Sequence, residues 1–151
     1  MNKLDITKQA QIIAALVEGN SIRATCRMTG AAKGTVLKLL VDIGKVCNDY
    51  QDKAFKNLEC KKIQCDEIWA FCHAKDKNVP EDKKGKFGYG DVWTFTAICA
   101  DSKLVPSWHI GKRDYFTAYE FMMDLQSRLK NRIQLTTDGH KMYAQAVDDV
   151  F

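Results

Sequence analysis

The sequence has no apolar run approaching the roughly 18 residues that would suggest a membrane span. Its opening residues, MNKLDITKQAQ, lack the basic-then-apolar layout of a secretory signal. Both absences point to a cytoplasmic protein without a membrane partner. An excess of one charge is also missing: 23 Lys and Arg against 19 Asp and Glu leave a formal net charge of +4, compatible with a polyanionic partner without demonstrating one. Nor is there a disulfide framework. The six cysteines, at 26, 47, 60, 65, 72 and 99, are scattered through a chain of ordinary composition, as reduced thiols would be. Cys60, Cys65, Cys72 and His73 offer soft ligands within a short span, but in one strand Cys65 and Cys72 have opposite parity, which argues against a shared structural zinc. What is present is 46% hydrophobic residues in a chain of 151, enough to bury a core.

Helical spacing fills the first third. Ile12, Ile13, Leu16 and Val17 share a face before Gly19-Asn20 stops the pattern; Ser21 can cap a second helix to about Met28, which Thr29-Gly30 breaks. From Lys33, the residues Val36, Leu39, Leu40, Ile43 and Val46 are expected to form one buried face. Three short helices with a tight second turn predict a helix-turn-helix DNA-binding domain over residues 1–47. Its candidate DNA contacts are Arg23 and Arg27 on the second helix and Lys33, Thr35 and Lys38 on the third. A small helical bundle with a solvated basic face fits the same pattern.

Residues 48–61 have mixed charge and weak periodicity and are assigned as a connector that continues the helix for a turn or two. From Lys62 the pattern changes. Segments Lys62–Cys72, Val92–Ala100, Leu104–Ile110 and Arg132–Thr137 are predicted strands, and Asp114 can cap a helix carrying Ala118, Phe121, Met122, Leu125 and Leu129 on one face. A polar segment with Pro80 and three glycines predicts a long flexible loop between the first two strands, and Lys141–Phe151 begins a further helix. Trp69, Trp93, Phe95 and Trp108 are expected in the core rather than as base-stacking platforms.

The order strand, strand, strand, helix, strand, helix matches that of the ribonuclease H-like fold, so the expected class is α/β: a helix-turn-helix followed, over 62–151, by an incomplete mixed sheet with helices. In that fold the fourth strand lies parallel beside the first, which would bring Asp66 and Asp138 together although they are 72 residues apart. A carboxylate beside Ile68, Trp69 and Phe71 is costly to bury alone, and a cation would remove the cost. Glu67 would face the other side of a regular strand. The plainer alternative is an exposed strand-end Asp66 and an Asp138-Gly139 turn.

The blocks CDEIWAF, GYGDVWTFTAI, GKRD and RIQLTTDGHKMY resemble those of bacterial insertion-sequence transposases of the insertion-sequence-one type, within the superfamily that uses two aspartates and a glutamate. The resemblance runs from Cys65 to Phe151. It implies that Asp66 and Asp138 are the first two catalytic, metal-binding carboxylates. The implied cofactor is Mg2+, with Mn2+ as a substitute; the partners are double-stranded DNA of terminal repeats and target, and a second copy of the protein in a homo-oligomer. Two metal ions held by three carboxylates would activate water or a 3′-hydroxyl and stabilise the leaving oxygen, so no Ser, Cys or Tyr nucleophile is needed. Lys75, Lys77, Lys83, Lys84 and Lys86 in the loop, with Lys112 and Arg113 before the long helix, are candidate phosphate contacts, as are His140 and Lys141.

The chain departs from that family in two ways. The family's third carboxylate, a glutamate on a later helix, has no counterpart here: Asp148 and Asp149 come too soon after Asp138 and cover a helix face. The zinc-binding segment that often begins such proteins is also lacking. The expectation is therefore a truncated transposase, inactive alone. The alternatives are a non-enzymatic DNA-binding product that inhibits transposition through residues 1–47, and a host ribonuclease H-like nuclease.

Overall fold

The computed structural model describes residues 4–139 and 141–151. The chain divides after Ala54 into two compact units.

In the first unit, helix α1 spans Ile6–Val17, α2 Ile22–Thr29 and α3 Lys33–Ala54. The first two starts have a local cause. The Asp5 carboxylate accepts the Lys8 N–H at 2.7 Å, and the Ser21 hydroxyl accepts that of Ala24 at 3.2 Å. Gly30, left-handed at φ 68°, ends α2 and returns its N–H to the Cys26 carbonyl. Ile12, Ala15, Thr25, Thr29 and Val36 form a small core in which the three helices meet; of the face expected to be buried on α3 only Val36 is, because α1 and α2 reach only its first turns, and Leu40 and Val46 stand exposed. α3 runs through Ala54, so the helix continues into the assigned connector by the turn or two expected of it. An i,i+4 bond from Asn48 to Asp52 and the scarcity of helix breakers explain the extension.

The second unit is α/β. Strands β1 (Lys62–Cys72), β2 (Gly90–Cys99), β3 (Ser107–Gly111) and β4 (Gln134–Thr136) form one mixed sheet in the order β3-β2-β1-β4, with helices α4 (Tyr115–Arg128) and α5 (Lys141–Val150) on one face. β1 is antiparallel to β2 and parallel to β4, and Gln64 pairs with Thr136 at the end of the parallel ladder. Strand alternation sends Ile63 and Cys65 of β1 and Phe95, Ala97 and Cys99 of β2 into a core with Ala118, Phe121, Met122, Leu125, Tyr143 and Ala146. The opposite parity of Cys65 and Cys72 places the first in this core and the second in solvent. Residues of the predicted connector belong here too: Leu58 exchanges backbone bonds with Arg128 and Lys130.

Two strands are shorter than the sequence predicts. Pro106 has no N–H to give a ladder, so β3 starts at Ser107 rather than 104; β4 keeps only three of the six predicted residues. The long loop contains short helical turns at Asp76–Asn78 and Glu81–Lys83 and is tied at its base. The Asp76 and Asp91 carboxylates each accept the other residue's N–H, at 2.8 and 3.2 Å. Gly90 completes the tie, because its φ is 95° and a Cβ there would run into the Asp76 carboxylate. Among the described residues no helix is long and apolar enough to cross a membrane.

Candidate active site

The β1–β4 register fixes where the two predicted aspartates stand. Asp66 lies two residues beyond Gln64, and Asp138 two beyond its partner Thr136, so both occupy the same end of adjacent parallel strands. They differ in surroundings. Asp66 is exposed on the sheet face opposite the helices, where its Oδ1 accepts the Glu67 N–H at 2.8 Å. Asp138 follows β4 in a bend, its side chain 44% exposed, with its Oδ2 3.6 Å from the Arg113 guanidinium.

That guanidinium reaches a third carboxylate. Arg113 Nη2 donates to Glu67 Oε2 at 3.0 Å and Nε to the same oxygen at 3.3 Å. The Glu67 side chain is 2% exposed, since its parity is that of Ile63 and Cys65 and it points under the helices. Arg113 also stacks on Trp93, Cζ 4.7 Å from the ring centroid. The carboxylate linked to Asp138 through a shared cation is therefore Glu67, which the sequence alone does not assign to the site. The alternation Ile63, Cys65, Glu67 carries the signal that would have found it. Beside Glu67 lies the Tyr143 hydroxyl. Burial first, and then the adjacent carboxylate, hold it well above the ordinary tyrosine range. Among the described residues neither that hydroxyl nor Glu67 Oε1 completes a hydrogen bond.

Among the described residues no group of three or more His, Cys, Asp or Glu side chains is placed to hold a metal ion. The donor chemistry at the strand ends nevertheless fits a small hard cation. Mg2+ takes oxygen ligands and is commonly held by one or two carboxylates, the rest of its shell being water and substrate oxygens. Asp66 and Asp138, both accessible, are the residues that could hold such an ion. Asp149 is engaged elsewhere. Its carboxylate accepts the Tyr115 hydroxyl, tying α5 to α4, and this bond pushes the Tyr115 pKa up to about 12.

The predicted DNA contacts fall on both units. In the first, Arg23, Arg27, Lys33 and Lys38 are exposed and Thr35 is half-buried; Lys38 pairs with Asp42 at 2.7 Å, one turn along α3. In the second, Lys83 lies over the Tyr89 ring and Lys84 pairs with Glu81. Arg113 is engaged by carboxylates and Trp93. His140 lies outside the described residues, and Lys141 is exposed at the start of α5. Of the aromatics expected in the core, Phe95 is fully buried and Trp93 half-buried, whereas Trp69 and Trp108 are each 40% exposed. Trp69 sits on β1 beyond the cover of the helices, and Trp108 faces the uncovered side of the sheet.

No protein-family model matches the chain, and no match is found among curated proteins.

Proposed function

We propose that this chain is a segment of a DNA transposase of the insertion-sequence-one type. Its first three helices act as a helix-turn-helix for terminal repeats, and the second unit is part of a ribonuclease H-like nucleotidyl-transfer domain. One observation carries the reading: the sheet order β3-β2-β1-β4, with β4 parallel to β1, sets Asp66 and Asp138 at matching positions past the end of one parallel ladder. The motif resemblance from Cys65 to Phe151 supports it. In this reading Asp66 and Asp138 hold Mg2+ or Mn2+, which supplies Lewis-acid stabilisation of charge on the reacting phosphate oxygens when bound. The chain's own residues orient and neutralise. Arg113, fixed by Glu67 and Trp93, presents a positive charge beside Asp138, and Lys33 and Lys38 meet the backbone of duplex DNA. Neither Asp148 nor Asp149 replaces a third carboxylate, so the chain alone binds DNA without nicking it.

The test pairs a binding measurement with an activity measurement. The purified chain should bind terminal-repeat duplex with an affinity that falls steeply with salt. Binding should weaken in Lys33→Ala and Lys38→Ala, and no nicking or joining should occur in Mg2+. Calorimetric Mn2+ binding should disappear in Asp66→Ala and in Asp138→Ala. Cleavage in Mg2+ that is lost on Asp66→Ala would overturn the claim of incompleteness; Mn2+ binding indifferent to both aspartates would overturn the site. The separate core of the first unit, with its own buried Ile12, Thr25 and Val36, also favours a second reading: a product that occupies transposon ends and represses the intact enzyme. In a transposition assay that repression would weaken with Lys33→Ala while Asp66 is intact.

A further inference from the structure

The helices cover the sheet only partway along β1 and β2. Phe95, opposite Glu67, is fully buried; the next rung on the same face is Trp69 opposite Trp93, and the one after that is Phe71 opposite Asp91. There the side chains emerge. Trp69 is 40% and Phe71 48% exposed, and their rings lie 5.6 Å apart at 41°. Both indoles carry a cation: Lys75 Nζ is 4.8 Å from the Trp69 ring, and Arg113 lies over Trp93 while reaching Asp138. A row of aromatic faces flanked by the Lys75 ammonium and by an Arg113 guanidinium shared with Glu67 and Asp138 thus runs from the carboxylate end of the sheet towards the loop. The backbone next to Lys75 is anchored there, because the Asp76–Asp91 exchange and Gly90 tie the loop's base.

We infer that Trp69 and Phe71, with Lys75 and Arg113, form a platform for an unpaired strand of DNA adjoining Asp138. Exposed rings alone would fit any apolar partner, but each tryptophan here is coupled to a cation, and more lysines follow at 77, 83, 84 and 86. Rings that stack bases alternating with cations that meet phosphates are the means by which single strands are held without sequence preference. Bases inside a duplex have no free faces to offer, so the surface selects a strand that is locally unpaired. That the strand is DNA, and that it leads to a reacting phosphate, rests on the transposase reading; the stacking surface itself does not.

Trp108 provides an internal control, having the same 40% exposure on the opposite face of the sheet. The full chain is titrated with single-stranded oligothymidylate while tryptophan fluorescence is followed. Quenching should survive Trp108→Phe and be mostly lost in Trp69→Phe. Affinity should fall roughly five- to 150-fold in Trp69→Ala, the range measured for one lost base stack. Lys75→Gln should weaken binding and lower its salt dependence by about one counterion. Circular dichroism of each variant guards against misfolding, and Trp69→Phe keeps a ring in place if the alanine variant fails to fold. Quenching that follows Trp108, or oligothymidylate affinity unchanged in both Trp69→Ala and Phe71→Ala, would overturn the platform. Terminal-repeat duplex is titrated in parallel. If duplex binding fails while the Trp69-dependent single-strand binding remains, the transposase reading falls and the platform stands; absent single-strand binding sinks the platform whatever the duplex does.

Discussion

Removing the Arg113 guanidinium should destabilise the second unit through the carboxylate it leaves behind. The Glu67 side chain is 2% exposed, its Oε2 is held by two nitrogens of Arg113, and its Oε1 has no hydrogen bond among the described residues. In Arg113→Met the acid would sit under the helices with no cation. Breaking a buried ion pair by removing one partner costs ~3–5 kcal/mol. Arg113 is itself 35% exposed, so water screens part of the interaction, and the expected loss is about 2 kcal/mol. Glu67→Gln alone should cost about 1 kcal/mol, because it removes the charge and leaves an amide with imperfect partners. The double variant should be less destabilised than the sum of the two, with a coupling of about 1–2 kcal/mol. Urea unfolding followed by circular dichroism, with two units fitted separately, measures all four corners of the cycle. A loss below about 0.5 kcal/mol in Arg113→Met together with additive effects would refute the reasoning, since no buried charge would then depend on Arg113.

Two further perturbations address the loop and the long helix. Gly90→Ala forces a side-chain residue to adopt φ 95° and drives its Cβ into the Asp76 carboxylate, so the bond that this carboxylate accepts from the Asp91 N–H must break. A loss of about 2 kcal/mol or more is expected, together with faster limited proteolysis between residues 73 and 89; resistance equal to that of the parent chain would contradict the tie. Asp114 caps α4 by accepting the N–H and the hydroxyl of Thr117, and those two bonds hold its carboxyl below the usual range. A depressed folded pKa means that the contribution is present above the unfolded value and disappears as pH falls through the folded one. Asp114→Ala should therefore cost about 1 kcal/mol at pH 7, and the difference from the parent should shrink on acidification below the ordinary carboxylate range, as the charged part of the cap is lost. A pH-independent difference would show that the charge is irrelevant to the cap.

The elements themselves are legible in the sequence because each is set by local chemistry. Ser21, Gly30 and Asp114 mark helix ends through caps and a left-handed turn, and Ala118, Phe121, Met122 and Leu125 declare the buried face of α4 by their spacing. The α/β class and the parallel placement of β4 follow from element order, because a helical crossover returns the chain beside β1. Less visible are the limits of cover. Nothing in the residues of β1 says that the helices stop short of Trp69, so an aromatic expected in the core stands in solvent. The tie between Asp76 and Asp91 is hidden for another reason: two carboxylates that accept each other's backbone N–H leave no hydrophobic or periodic signature in a segment dominated by lysines.

The adjacent carboxylates of Asp66-Glu67 show why strand parity must be settled before a site is assigned. Alternation requires one of any such pair to face the helices, and the neighbours Ile63 and Cys65 assign that position to Glu67. Burying an acid there is unfavourable, and a leucine or glutamine at 67 would serve the core at lower cost. What the acid supplies is placement. It holds Arg113 from beneath while Trp93 holds it from the side, and a guanidinium fixed at two points extends its charge to Asp138 without depending on Asp138 for its position. An Arg113→Lys variant tests this geometry more sharply than a deletion does. Lysine keeps the charge but lacks the planar fork that donates through Nε and Nη2 together and the flat face that stacks on Trp93. Arg113→Lys should therefore recover only a minority of the stability lost in Arg113→Met. Full recovery would mean that Glu67 needs a positive charge and nothing more, and that the fixed orientation of Arg113 beside Asp138 is incidental.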